Sequence, residues 1–473
     1  MMRRVAPWLL VALLGGCAAG PDFVPPVPPA ATAYTSKPPR LDAAAPAQRL
    51  EPGVAPRRHW WRQWHNAELD AVVERALRGN RSVAEAGADL ARARALVGVA
   101  AAARAPRVDL EAGSGRQRYG AEFLGTAPPQ APFTYYALGL DAHWDADLAG
   151  ARRRALEGQL ALAEAQRQRL AAAQLEVGAE AVRLSLDGAA RRAQGRALRA
   201  LLQADRDALR LTQRAFADGA LGAAAVLDAR QRLQDDAAQL PALRQRIDVD
   251  AHALAVLVGQ TPAAAPLPQP AFDALRLPRT LPLTLPSQLA ARRPDIVLAS
   301  AQLHAATAAL GVASADLYPR IELSASFVPQ ATSAGALFAA GSPGWSVLGG
   351  LLAPVFDGGE LHARQRAARD AVRAAAAHYQ GTVLRAFGQV ADALQALQHD
   401  AQALAARQRA LAAARAALAL TRAEVDAGSV GRLPLLAAQR RCAQAEMAWI
   451  GARAQRQLDT VRLFLSIGGG ENS

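Results

Sequence analysis

The chain is 473 residues long, with 54 Lys and Arg against 41 Asp and Glu, a formal net charge of +13, and two cysteines. Two cysteines supply no disulfide framework, so a chain of this size must be held together by packing. Its arginines are scattered among glutamates and aspartates along helical stretches, with Lys37 the only lysine, which marks solvated helix faces and sets nucleic acid aside as a partner. The eight histidines show no metal-ligand spacing, so no metal site is expected, and no phosphate loop, zinc helix or nucleophile elbow occurs, which sets enzymes aside.

Arg3-Arg4, an apolar stretch over residues 5–14 and Gly15-Gly16-Cys17 have the layout of a secretory signal covering residues 1–16. Its removal would lower the net charge to +11 and leave Cys442 as the one cysteine besides Cys17. Residues 17–58 are rich in Pro and Ala and lack an apolar period, so they read as an extended tether. Trp60, Trp61 and Trp64 introduce an amphipathic stretch ended by Gly79-Asn80, and are expected to pack on a helical body in preference to forming an interfacial belt. No apolar run of about 18 residues or more is read after the signal, so a helical membrane span is excluded and any crossing must use strands.

Residues 80–113 reappear as residues 293–326 without a gap, with 13 of 34 positions identical. Seven of these are alanines in an Ala-rich chain, but Leu90/Leu303, Gly98-Val99/Gly311-Val312, Pro106-Arg107/Pro319-Arg320 and Leu110/Leu323 are specific matches. Further on, Gly219 aligns with Gly428 and Gly222 with Gly431 at an offset of 209. A period near 200 residues is too long for a solenoid and indicates a duplicated half-domain. Repeat 1 is placed at residues 59–261 and repeat 2 at 286–473, joined by a Pro-rich, irregular connection over 262–285.

Each repeat holds two period-2 segments, at residues 107–119 and 134–144 and at 320–328 and 345–356, the last less regular. Val108, Leu110 and Ala112 alternate with Asp109, Glu111 and Gly113, and Ile321, Leu323 and Ala325 with Glu322, Ser324 and Ser326, which gives one apolar and one wet face. Residues 119–132 and 329–344 read as hairpin loops. Strands of about ten residues suit a transmembrane barrel, but four cannot close one, so other subunits must complete it. Long helices are expected over residues 150–258, with an irregularity at Pro241, and over 359–466. In the second, Val383, Phe387, Val390, Leu394, Leu397, Ala401, Leu404, Leu411 and Leu418 form a heptad seam.

Several segments carry a resemblance to a known family: Gly20-Pro21-Asp22-Phe23, Trp60-Trp61, Trp144-Asp145-Ala146-Asp147-Leu148, Leu285-Pro286-Ser287 with Arg292-Arg293-Pro294-Asp295-Ile296, Phe356-Asp357-Gly358-Gly359, Val383-Leu384-Arg385-Ala386-Phe387 and Ala437-Ala438-Gln439-Arg440. From Cys17 to about Leu465 the chain resembles the TolC-like outer-membrane efflux family, OprM/NodT-type lipoprotein branch. Leu-Gly-Gly-Cys resembles a lipobox, which implies lipid on Cys17 and no other cofactor; Ala18 in place of Asp favours the outer membrane. The resemblance implies a mainly α fold with a small β part, in which three chains form a 12-stranded outer-membrane barrel continued by a periplasmic α-helical tunnel. It implies a passive exit duct for drugs or other small compounds, with a periplasmic adaptor and an RND-type inner-membrane pump as partners. The hairpin turns Asp218-Gly219-Ala220 and Ala427-Gly428-Ser429 would be the adaptor-docking tip, and Asp218 and Asp426 the candidate periplasmic gate. The alternative is a periplasmic coiled-coil lipoprotein acting as adaptor or scaffold, a reading disfavoured by the matched strand pairs.

Overall fold

The computed structural model describes residues 18–27, 30–118, 131–264 and 266–469. In chain order these form β1 (Arg49–Pro52), a 3-10 turn (Trp60–Trp64), α1 (Ala67–Gly79), α2 (Arg81–Ala102), β2 (Arg107–Gln117), β3 (Phe133–Asp145), α3 (Ala151–Ala217), α4 (Ala223–Ala237) and α5 (Gln239–Leu257). They continue with β4 (Thr280–Leu283), α6 (Pro286–Arg292), α7 (Pro294–Ala315), β5 (Arg320–Ala331), β6 (Pro343–Leu352), α8 (Glu360–Asp426) and α9 (Arg432–Ser466). The sequence offset returns in the fold. Helices α2 and α7 are both 22 residues long and stand 213 residues apart, and α3 and α8 are both 67 residues long and stand 209 apart. At 1.5 Å per residue each long helix extends about 100 Å.

The helix starts are set locally. Asn80 caps α2, its Oδ1 accepting from the backbone N–H groups of Ser82 and Val83 at 2.9 and 3.1 Å. In the second copy Pro294 occupies the first helical position, where its missing N–H costs nothing.

One unit comprises the described residues up to Pro26 together with Asp89–Gln166 and Leu298–Tyr379. Its sheet is antiparallel, in the order β2-β3-β5-β6, so the hairpins β2–β3 and β5–β6 meet at the β3–β5 seam. Strand β6 starts two residues earlier than expected, at Pro343 against 345, and ends at Leu352 against 356, short of Pro354, which cannot extend a ladder. Strand β5 runs three residues beyond its expected end, to Ala331. The signal at 1–16, Cys17 and the loop at 119–130 lie outside the described residues. Ala18–Phe23 is not a free tether. Arg154 donates to the Ala19 and Gly20 carbonyls and to Asp22 at 2.7 Å, Phe23 stacks on His304 at 4.2 Å, and Gly20 lies so close to Gly311 that a side chain at position 20 would clash.

Helix α7 corrects a further expectation. By length and composition it is apolar enough to cross a membrane, with a mean hydropathy of 1.6 over 18 residues. Ser300, Gln302, His304 and Thr307 interrupt the run, which is why it escapes a search for unbroken apolar stretches. Ile296, Ala299, Ala301, Leu303, Ala308, Leu310 and Ala315 are buried against protein, and His304 contacts Glu157 at 2.8 Å. It is a packed helix.

The other unit comprises Val27–Ala88, Arg167–Val297 and Gln380–Ser473. All three tryptophans of the 3-10 turn are buried; Trp60 stacks on Phe464 of α9 at a centroid distance of 5.1 Å, which is the expected packing on a helical body. The seam of α8 is buried at Val383, Val390, Leu394, Leu397, Ala401, Leu404 and Leu411, and half-buried at Phe387 and Leu418. Two Pro-rich stretches depart from their reading as structureless connections. Residues 49–52 form β1, which pairs in parallel with β4 from the 262–285 stretch, and Phe272, Leu275 and Leu281 of that stretch are core residues. Pro241 sits in the first turn of α5, and the helical run breaks just before it, at Ala238.

Candidate functional site

Two features of the fold are suited to building a conduit: a two-faced sheet and a pair of equivalent helix turns. In the sheet, cross-strand register stacks like on like. Leu110, Leu140, Phe327 and Trp345 form one row, and Val108, Ala142, Ala325 and Val347 the next, all on the same face. Trp345 is 77% and Leu110 70% exposed, so this apolar face has no cover among the described residues. The opposite face carries the row Asp109, Asp141, Ser326 and Ser346, with the Ser326 and Ser346 hydroxyls 2.8 Å apart. Asp145 stands opposite Glu322, and Arg107 pairs with Asp109 at 2.8 Å. Leu348 and Leu352 also fall on the wet side, which accounts for the less regular pattern in β6. Among the described strands, β2 and β6 each have one neighbour in the sheet, so the order β2-β3-β5-β6 ends on two edge strands. An apolar face about ten residues tall, backed by a polar one and flanked by open edges, is a segment of a barrel wall and not a finished sheet.

The two turns have the same geometry. Gly219 and Gly428 adopt φ of 76° and 73°, a left-handed conformation that glycine reaches without strain. At the first turn the Gly219 N–H donates to Phe216 at 3.0 Å and the Ala220 N–H to Ala215 at 2.8 Å; at the second, Gly428 donates to Val425 and Ser429 to Glu424, both at 3.0 Å. These are the 5→2 and 6→1 bonds of a Schellman cap, made twice. The Ser429 hydroxyl adds a bond to Glu424 at 2.9 Å, which Ala220 cannot make. Gly222 and Gly431 then open the next helices as N-caps with nearly equal dihedrals. Asp218, Gly219, Ala220, Asp426, Ala427, Gly428 and Ser429 are all exposed. The sequence thus predicts both turns by position, and the structure gives them as matching helix ends with free surfaces.

A polar bridge between the hairpins has no periodic signature and is not legible in the sequence. Arg440 of α9 reaches Asp205 of α3 at 3.1 Å and Asp236 of α4 at 2.6 Å. Burial raises the Asp205 carboxyl, with Arg440 acting against that shift and Asp236 adding to it. On the same unit Arg293, itself buried, donates to the carbonyl of Ser466 at 2.7 Å and to Asp295 at 2.8 Å, and it also bonds Gln389. That gives the Arg292-Arg293-Pro294-Asp295 motif a structural task at the start of α7.

Comparison with known proteins follows the same outline. The family described as outer membrane efflux protein matches residues 72–260 and 285–469, one stretch for each repeat. The chain is 34% identical to the outer membrane protein OprJ of Pseudomonas aeruginosa, over 98% of this chain and 95% of that protein. It is 29% identical to the toluene efflux pump outer membrane protein TtgC of Pseudomonas putida, over 97% of this chain and 93% of TtgC. Among solved structures it superposes on the outer-membrane channel OprN with a TM-score of 0.83 and 30% identity, covering 96% of this chain and 99% of OprN.

Proposed function

Because the chain belongs to the outer membrane efflux protein family, we propose that it is the outer-membrane exit channel of a tripartite pump, passing drugs or other small compounds out of the cell without an energy source of its own. The observation that carries this reading is the sheet, apolar on one face, polar on the other and open at both edges. Four strands in lipid leave two rows of unpaired backbone groups, each costing several kcal/mol. Pairing β6 of one copy with β2 of the next removes every edge when three copies close a 12-stranded ring. The apolar rows then face lipid, and the row of Asp109, Asp141, Ser326 and Ser346 faces water. A water-filled lumen needs no substrate-specific pocket, so conduction depends on geometry and gating.

The remaining assignments rest on this reading. Cys17 carries the lipid that anchors the N-terminus, in keeping with Ala18–Phe23 being fastened directly after it. The exposed turns at Asp218-Gly219-Ala220 and Ala427-Gly428-Ser429 receive a periplasmic adaptor, and an RND-type inner-membrane pump supplies the energy. Asp218 and Asp426 line the constriction at the same turns. Crosslinking in cells from cysteines at Ala220 and Ser429 is expected to capture the adaptor; capture of nothing would remove the docking assignment. Asp218→Ala with Asp426→Ala is expected to raise the closed-state leak in planar bilayers, and an unchanged leak would remove the gate assignment. The reading as a whole predicts heat-modifiable trimers in the outer-membrane fraction. A periplasmic coiled-coil scaffold would give a soluble or inner-membrane form and leaves the two-faced sheet without a use.

A further inference from the structure

Helices α3 and α7 come from different repeats, yet they meet below the seam between the two hairpins, because α3 leaves β3, α7 enters β5 and those two strands pair. Three positions of α7 make the contact, spaced i, i+4 and i+7 and so on one side of the helix. His304 reaches Glu157 at 2.8 Å. Ala308 is fully buried, and a Cβ on Gly158 would stand 3.5 Å from it. Gly311 is pressed so close to Arg154 that a Cβ there would lie 2.8 Å from the arginine stem.

Each partner has a counterpart in the other copy. Helix α2 repeats α7 at an offset of 213, which puts Ala91, Ala95 and Gly98 in the places of His304, Ala308 and Gly311. Helix α8 repeats α3 at an offset of 209, which puts Ala363, Arg366 and Ala367 in the places of Arg154, Glu157 and Gly158. All six counterparts are exposed. Among the described residues no atom lies within 4 Å of where a Cβ on Gly98 would stand. Val99 is 65% exposed where Val312 is half-buried, whereas Leu90, on another side of α2, is as buried as Leu303. One side of α2 therefore packs on its own chain as α7 does, and the side that α7 buries against α3 is left uncovered.

The strands bring the two uncovered sides together. Helix α8 leaves β6 and α2 enters β2, so where β6 of one copy pairs with β2 of the next, α8 and α2 stand to each other as α3 and α7 do below the β3–β5 seam. We propose that α2 of each copy packs on α8 of its neighbour, with Ala91, Ala95 and Gly98 against Ala363, Arg366 and Ala367, so that the occupant of both faces is a second copy of this chain. The pairing rests on the three-copy ring and fixes which side of each helix joins the copies. The chemical differences between the two seams fit it. Within the chain, Arg154 and His304 hold Ala18–Phe23 over the seam. Their counterparts Ala363 and Ala91 carry no group with which to hold a segment, and the helices close on each other directly. Ala95 and Ala367, small like Ala308 and Gly158, keep the same close approach, while Arg366 lays its stem along α2 and keeps its charged head in water.

Disulfide trapping in the full-length protein with Cys442→Ser tests the contact. A disulfide needs Cβ atoms about 3.5 to 4.5 Å apart, the spacing that Gly158 and Ala308 offer within the chain. On mild oxidation, Ala95→Cys with Ala367→Cys is expected to give a covalent trimer on denaturing gels that reduction returns to single chains, and either cysteine alone is expected to give none. Gly158→Cys with Ala308→Cys, the equivalent pair within the chain, is expected to form its disulfide without joining chains. Gly98→Leu fills the space that α8 of the next copy occupies; it is expected to leave the helix content of the chain unchanged and to lower the trimer-to-monomer ratio in detergent by about tenfold or more. A trimer that stays whole with no link between positions 95 and 367, or one that tolerates Gly98→Leu, overturns the contact and leaves the channel reading standing. Absence of any trimer from the wild-type protein overturns both.

Discussion

The sheet gives the sharpest prediction because two adjacent residues near the middle of β5 are assigned opposite environments. Ala325 stands opposite Ala142 and Val347 on the apolar face, and Ser326 opposite Asp141 and Ser346 on the wet one. In Ala325→Arg a guanidinium must sit at the lipid face near the bilayer midplane, which costs about 2 to 4 kcal/mol per chain in transmembrane barrels. At 1.4 kcal/mol per decade that is roughly a 30- to 1,000-fold shift toward the unfolded chain. Ser326→Arg loses the 2.8 Å hydroxyl contact with Ser346, about 1 kcal/mol, and gains an opposite charge beside Asp141. Its net cost should stay below about 1 kcal/mol. Equilibrium urea unfolding in lipid vesicles, together with the amount of trimer in the outer membrane, separates the two variants. Equal costs, or a greater cost for Ser326→Arg, would refute the assignment of faces.

The other predictions concern the helices. Gly219→Ala and Gly428→Ala are each expected to cost about 1 kcal/mol through backbone strain alone, since no atom lies within 4 Å of where the new Cβ would stand; thermal unfolding checks this, and Asn at either position should recover part of the loss. Arg440→Leu leaves Asp205 and Asp236 without their cation and is expected to cost about 3 kcal/mol by urea unfolding. Adding Asp236→Asn should restore some of that stability, whereas strictly additive losses would show that the three groups do not act as one bridge.

Much of this architecture is legible in the sequence because it is periodic. Strand alternation at Val108-Leu110-Ala112 and Ile321-Leu323-Ala325 gives the faces directly, and the leucines of α8 mark its buried seam. The turns are legible for a different reason: glycine recurs where only a left-handed residue closes a helix, and it does so at matched positions in both copies. What escapes is contact without period. The pairing of β1 with β4 joins segments some 230 residues apart, and both are Pro-rich, so neither looks like a strand. Residues 40–45 of the Pro-rich segment are held through their backbone by Gln398, Gln408 and Arg456, residues indistinguishable in sequence from those of a solvated helix face. Arg440 falls inside a recognisable motif, but its partners lie on two other helices and carry no mark. In α7 the polar residues that hide an apolar helix from a search for unbroken runs include His304, which seats Phe23.

The central claim is that the wet face of the sheet lines a conducting pore. Single-channel recording in planar bilayers tests it most directly, using S326C and A325C in a Cys442→Ser background treated with a water-soluble, positively charged thiol reagent. Modification of S326C should reduce the conductance of open channels while A325C stays unaffected. Block at A325C with none at S326C, or a purified trimer that never conducts, would contradict the account.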